Sequence, residues 1–209
     1  MDNKSIIIEK GVIAGNLYNK YSTNNPIARL LVKQFQSTIV DLVQMSGVSE
    51  IHEVGCGEGY LAAILVSLPN IIKVRASDFS SKIIEKAKLF HKDKNIEFFV
   101  RNIYDLNYQD AAEMVVCCEV LEHLEYPEKA LKILSTISKP YCLLSVPREP
   151  IWRIMNILRG KYLKNFGNTP GHIQHWSKNS FLKLVSKYFN DIVDIRTPFP
   201  WTIILAQNV

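Results

Sequence analysis

Residues Ile51–Ile64 read IHEVGCGEGYLAAI, and this stretch decides the fold. A short apolar strand runs into Glu53, three glycines follow at alternate positions (Gly55, Gly57, Gly59), and a helical pattern begins at Tyr60. A strand, a tight glycine turn and a helix N-terminus together bring backbone amides against a nucleoside ligand in α/β proteins. The spacing is G-x-G-x-G. A dinucleotide fingerprint, G-x-G-x-x-G, would need its third glycine at position 60, which is Tyr. Glu58 inside the turn and Glu53 at its start would repel a pyrophosphate. Two carboxylates instead suit a ligand with an ammonium group and no phosphate, such as S-adenosyl-L-methionine, whose own carboxylate could take the amides of the helix start. A tight strand-to-helix turn without any ligand has the same local pattern.

Outward from this turn the chain alternates strand and helix. Pro26–Met45 carries apolar residues at helical spacing, Glu50–Val54 is a strand, and Tyr60–Ser67 is a helix closed by Pro69-Asn70. Strands are expected at 71–77, 96–100, 114–118 and 141–146, with helices at 82–91 and 127–134 between them. This rhythm predicts a doubly wound, mostly parallel sheet, with ligand contacts just beyond the strand ends. After 146 the rhythm breaks into a loop-rich segment with a helical stretch at 152–158, and a helix follows at 178–188. Two closing strands, 191–196 and 202–207, are too close for a crossover helix and are expected to pair antiparallel. No repeat or low-complexity segment is present.

The 209 residues suffice for one α/β domain, read as 1–209 with a helical lead-in over 1–45 and an acceptor-side insertion over 148–176. A hydrophobic content of 47% with 22% charged residues is that of a globular protein, and no apolar run reaches the length of a membrane span. The opening residues hold no signal-peptide core, so a cytoplasmic location is expected. The four cysteines, Cys56, Cys117, Cys118 and Cys142, form no C-x-x-C and read as free thiols. The net charge of +5 permits an anionic partner without arguing for one.

Asp78 ends the second strand 21 positions after Gly57, where a carboxylate can accept both hydroxyls of a ribose, with Phe79 beside it to lie on a base. Its plainer reading is a turn residue before a helix cap. Asn102 follows the third strand and can read an adenine edge, with Ile103 packing on the ring. The fourth strand runs into CCEVLEHLEYP, where Glu119, Glu122 and His123 stand at i, i+3 and i+4 and would share a helical face.

The strings EVGCGEG, SD, CEVLEHL and LLSVP together resemble the S-adenosylmethionine-dependent methyltransferases of the seven-stranded Rossmann-like class, type 11 in particular. The resemblance covers residues 50–147. It implies a seven-stranded doubly wound sheet with an antiparallel last strand. It implies methyl transfer from S-adenosyl-L-methionine, leaving S-adenosyl-L-homocysteine, to a small-molecule or sugar-like acceptor at oxygen or nitrogen. By position, Glu53, Gly55, Cys56 and Gly57 would hold the methionine portion, Asp78 and Phe79 the ribose, and Asn102 and Ile103 the adenine. Cys118 and Glu119 would line the methionine end. Asn102 stands where many members carry Asp, and Glu113 where Asp is usual.

Candidate general bases are His123, His172 and His175, and Tyr18 and Tyr21 could help close the site. A metal-dependent RNA 2′-O-methyltransferase is the main alternative. There Glu119, Glu122, His123 and His175 would imitate the divalent-metal set of such enzymes, although no metal is expected here. The other alternative is a non-catalytic S-adenosylmethionine-binding protein. Nucleic acid is not the favoured partner, and oligomeric state is not legible.

Overall fold

The computed structural model describes residues 7–9, 12–14 and 25–208. Tyr18 and Tyr21 lie outside the described residues. A short antiparallel pair, β1 (Ile7–Glu9) and β2 (Val12–Ala14), precedes the main body. Then come α1 (Pro26–Ser46), β3 (Glu50–Val54), α2 (Tyr60–Leu65), β4 (Lys73–Asp78), α3 (Ser81–Phe90) and β5 (Ile96–Val100). The second half holds β6 (Ala112–Cys118), α4 (Pro127–Ile137), β7 (Ser138–Pro147), α5 (Ile151–Leu158), α6 (Lys178–Val185), β8 (Asp191–Arg196) and β9 (Trp201–Gln207).

Seven strands form one sheet in the order β5-β4-β3-β6-β7-β9-β8. All neighbours pair parallel except β9, which runs antiparallel to both β7 and β8. The expected doubly wound sheet with an antiparallel last strand is therefore the observed fold. The chain starts at β3, steps outward to β5, and then returns to β6 on the other side. That reversal makes the β3–β6 junction the topological switch point.

Alternation along the strands builds two cores. Met114 and Val116 face one side, with Phe35, Ile39 and Leu42 of α1, Leu61 and Leu65 of α2 and Ile84 of α3. Val115 and Cys117 face the other, with Leu131 and Leu134 of α4 and Phe181 and Val185 of α6. Because both faces are covered, β6 and β9 carry the unbroken apolar runs Met114–Cys118 and Ile203–Ala206. α1 starts where the Asn25 side chain accepts the Ile27 and Ala28 amides, and it ends at Gly47 in the left-handed region. Glu113, within β6, accepts the amides of Ser49 (2.6 Å) and Glu50 (3.2 Å) and so ties the start of β3 to its neighbour.

A buried polar link fixes the centre of the sheet. His52 has no solvent exposure, and its Nδ1 and Nε2 lie 2.9 Å from Asp110 O and Ser77 Oγ. Burial pushes its pKa down to about 4. In the unfolded chain His52 titrates near its ordinary value, so between the two pKa values the unfolded state binds more protons. Folding stability is expected to fall by about 3 kcal/mol as the pH drops from 6.5 to 4, with no further loss from this group below that. Denaturant unfolding across this range checks it, and an unchanged slope in a His52→Gln variant would contradict the assignment.

Candidate active site

The glycine turn is pinned to the second strand. The Gly55 and Cys56 amides both donate to Ser77 O, at 2.8 and 3.0 Å. Gly55, Gly57 and Gly59 all have positive φ, at 76°, 53° and 78°. Gly55 passes so close to Val120 that an added Cβ would lie 2.3 Å from Val120 Cγ2. Gly57 differs, since a Cβ there would meet no protein atom within 4 Å. The turn thus presents bare backbone at the carboxyl end of β3.

A cavity of about 660 Å³ lies over the carboxyl ends of β3 to β6, at the switch point. Its wall includes Glu53, Gly55, Cys56, Gly57, Asp78, Phe79, Asn102, Ile103, Cys118 and Glu119, so every residue expected to hold the ligand is on one surface. Asp78 is anchored at both oxygens. Oδ2 accepts the Gly57 amide at 3.0 Å and Oδ1 the Ser80 amide at 3.0 Å. Burial nevertheless holds its pKa above the ordinary value, with these amides opposing and Glu58 adding to the rise. Burial likewise pushes the Cys56 thiol far up, reinforced by the carboxylates of Glu53 and Asp78, so Cys56 lines the site as a neutral thiol.

Three expectations need correction. Glu58 is buried but lies off the cavity wall, and its carbonyl is 3.0 Å from His91 Nε2. Only Glu53 and Asp78 of the strand-end carboxylates therefore reach the cavity from β3 and β4. Asn102 does stand on the wall, but its Oδ1 accepts the Tyr104 amide at 3.0 Å and caps a 3-10 turn. The group it offers a base edge is thus the Nδ2 donor more than an acceptor. Glu119, Glu122 and His123 do not share an α-helical face. Glu119 has φ 60°, and only Leu121–His123 is helical, as a single 3-10 turn.

Glu119 holds this conformation through three bonds. Its amide donates to Ser145 O (3.1 Å), Oε1 accepts from Ser145 Oγ (3.1 Å), and Oε2 accepts the Trp201 indole at 2.7 Å. A non-glycine residue at positive φ carries strain that surrounding contacts must hold, and such residues concentrate at functional sites.

The three histidines separate. His123 and His172 line the cavity with ring centroids 4.8 Å apart, and His172 stacks on Trp152 at 5.9 Å. His175 lies off the wall, with Nε2 2.8 Å from Asn168 Oδ1 and 3.3 Å from Arg153 Nη2. Burial and Arg153 push its pKa down. His123 Nδ1 is 2.9 Å from the carbonyl of Gly171, which can only accept, so Nδ1 carries the proton. The other nitrogen, Nε2, faces Glu122 Oε1 at 3.9 Å. Ligand atoms of Glu122, His123 and His172 all lie within 4.8 Å of one another, a set that could hold a cation. His172 takes the place in this cluster that the sequence reading gave to His175.

The sequence reading missed several wall residues, among them Phe35, Arg101, Tyr104, Met155, Asn156 and Trp201. Phe35 and Trp201 meet at 4.8 Å with their rings tilted, and Trp201 meets Trp152 at 5.8 Å. A signal was available in part, since Trp201 and Trp152 are large aromatics beside strand ends.

Strand order, switch point and cavity define a Rossmann-like methyltransferase fold. It matches magnesium protoporphyrin IX methyltransferase from Synechocystis PCC 6803, solved with bound SAH, with a TM-score of 0.67 at 18% identity over 90% of this chain and 89% of that one. It also matches small RNA methyltransferase HEN1, with a TM-score of 0.69 at 20% identity over 85% of this chain and 25% of that one. Residues 52–146, just under half of the chain, match the family described as a methyltransferase domain. A similar sequence is the mitochondrial ubiquinone biosynthesis O-methyltransferase of Candida albicans, 33% identical over 87 residues, 39% of this chain and 26% of that enzyme. The chain spans from about a quarter to just under two-thirds of the length of such curated relatives.

Proposed function

We propose that the protein is an S-adenosyl-L-methionine-dependent methyltransferase acting at oxygen or nitrogen of a small-molecule or sugar-like acceptor. The observation that carries this reading is the wall formed by Glu53, bare Gly57 and doubly anchored Asp78 at the switch point. We place the activity in the cytoplasm, where the four free thiols belong, and on one domain over residues 1–209 with its acceptor side at 148–176.

The residues fit the cofactor. Each Asp78 oxygen keeps acceptor capacity beyond its one backbone bond, which suits a vicinal diol. Gly57 leaves open space where a side chain would stand. Glu53 offers a carboxylate to an ammonium group, Phe79 and Ile103 offer apolar faces to a base, and the Asn102 amide donates to its edge. The bound cofactor would supply the methyl group as a sulfonium electrophile. The protein's part is to align the acceptor, exclude water with the aromatic wall of Phe35, Trp152 and Trp201, and take up a proton. His172 and His123, on the cavity wall, are the candidates for this base, and His175, off the wall, is not.

A second reading is favoured by one observation. Ligand atoms of Glu122, His123 and His172 gather within 4.8 Å of one another, with His123 Nε2 3.9 Å from Glu122 Oε1. One carboxylate and two imidazoles are a donor set that a divalent cation could share. With a cation, the same residues would orient and acidify an acceptor hydroxyl, as the alternative of metal-dependent RNA methylation requires.

The test is a calorimetric titration with S-adenosyl-L-methionine followed by tritiated-methyl transfer to pooled metabolites, sugars and RNA. Failure to bind the cofactor would refute the main reading. With an acceptor in hand, His123→Ala and His172→Ala are expected to lower turnover by about 10²- to 10⁴-fold with cofactor affinity kept, and His175→Ala to leave it near wild type. Full activity in both of the first two variants would remove the base assignment. Manganese binding seen by electron paramagnetic resonance, lost in His172→Ala, together with inhibition by EDTA, would establish the cation. Their absence would remove the cation reading.

A further inference from the structure

We infer that residues 151–166 form a docking face for an anionic lipid surface. α5 is amphipathic, and its two sides have different fates. Trp152, Met155 and Asn156 line the cavity, and the Asn156 amide donates to Gly167 O (2.9 Å) and Thr169 Oγ1 (3.2 Å), so the inner side is fastened to the loop that follows. The outer side and the turn after it expose Ile154, Ile157, Leu158, Leu163 and Phe166, with Leu158 82% and Phe166 78% accessible. Five large apolar side chains open to water within 13 residues are not needed to cover any core.

Charge says what covers them. From Pro150 to Asn190 the sequence holds no Asp or Glu and seven basic residues: Arg153, Arg159, Lys161, Lys164, Lys178, Lys183 and Lys187. Glu149, just before α5, is 4.0 Å from Arg153, and Lys187 faces Glu128 at 3.5 Å. Arg159, Lys161 and Lys164 are all exposed and alternate with Leu158, Leu163 and Phe166. Aliphatic side chains that enter the headgroup boundary, with cations left at phosphate level, are the pattern of an interfacial segment. Single-stranded nucleic acid would use the cations and aromatic faces but has no use for exposed Ile154, Ile157 and Leu158. No helix among the described residues is long and apolar enough to cross a membrane, so the contact is peripheral. Arg159, Lys161 and Tyr162 also line the cavity, which places its mouth beside the docked face. Docking needs no methyl transfer, so it stands or falls apart from the catalytic reading.

The experiment is co-sedimentation of the full chain with vesicles of phosphatidylcholine alone and of phosphatidylcholine with phosphatidylglycerol. The variants are a Leu158→Gln/Phe166→Asn pair and Lys164→Glu, none of them on the cavity wall. Phe166 has φ 49°, a conformation that asparagine tolerates, and both apolar residues are exposed, so circular dichroism and melting should match wild type. The wild type is expected to pellet with the anionic vesicles and much less with the neutral ones. The double variant is expected to lose on the order of tenfold in partitioning, and Lys164→Glu a smaller factor that vanishes at high salt. Failure to pellet with anionic vesicles, or equal pelleting of the double variant, overturns the inference. Binding of an RNA oligonucleotide that Lys164→Glu weakens and the double variant does not would assign the face to nucleic acid instead. Self-association that the double variant abolishes would make it a contact between copies.

Discussion

Replacing Asp78 by alanine is expected to weaken S-adenosyl-L-methionine binding by about 100-fold. Two hydrogen bonds to a buried charged acceptor contribute about 1.5 kcal/mol each at the low end, which multiplies to that factor. The change also strips the acceptor from the Gly57 and Ser80 amides, both bonded to this carboxylate at 3.0 Å. The loop that forms the cavity floor therefore loosens along with the lost contacts. Calorimetry of the variant checks the figure, and an unchanged dissociation constant would remove Asp78 from the cofactor site. The pH dependence has a definite sign. Burial raises the Asp78 pKa, so the group protonates at a higher pH than a free carboxylate would. Cofactor affinity in the wild type is expected to decline on acidification before ordinary carboxylates titrate, and to be flatter in Asp78→Asn.

Gly55→Ala is expected to cost about 3 kcal/mol of stability, on the order of 10 °C in melting temperature for a chain of this size. Two effects combine. The residue sits at φ 76°, where a Cβ is strained, and that Cβ would lie 2.3 Å from Val120 Cγ2. Gly47 supplies the control. It has a similar φ of 68° but open space around its Cβ position, so Gly47→Ala should show the strain alone, about 1 kcal/mol. Equal drops for the two variants would mean that the Val120 contact is readily relieved. The consequence for the site is direct, because Val120 lies between Glu119 and the 3-10 turn that carries His123. Pushing Val120 aside disturbs both.

Most of the sheet was legible because its signals are local. The runs MVVCC and IILA are apolar throughout, which marks strands covered on both faces, and both lie in the interior of the sheet. DIVDIR alternates with charge, and β8 is an edge strand. The cavity-wall residues at the strand ends were legible for the same reason. In an open α/β sheet a strand end is an address, and Asp78, Asn102 and Cys118 each follow or close a strand. What failed depends on tertiary contacts. His172 and His175 are three residues apart in a loop with no period to orient them. Which one faces the cavity is set by Trp152, twenty residues upstream, against which His172 stacks. Glu119 looked like the first turn of a helix, and its positive φ comes from partners on β7 and β9. Glu58 looked ligand-facing because it sits in the turn, but the left-handed glycines on either side turn it into the protein.

The neighbouring pair Trp152 and Trp201 gives the cavity its own light source. The chain has three tryptophans, and two of them stand on the cavity wall 5.8 Å apart, while Trp176 packs against Phe181 away from it. A ligand bound beside this pair would change their emission, and Trp176 would supply a constant background. Occupancy of the site can therefore be followed in real time by ultraviolet excitation of the unlabelled protein. Replacing Trp176 by phenylalanine would leave only the reporting pair.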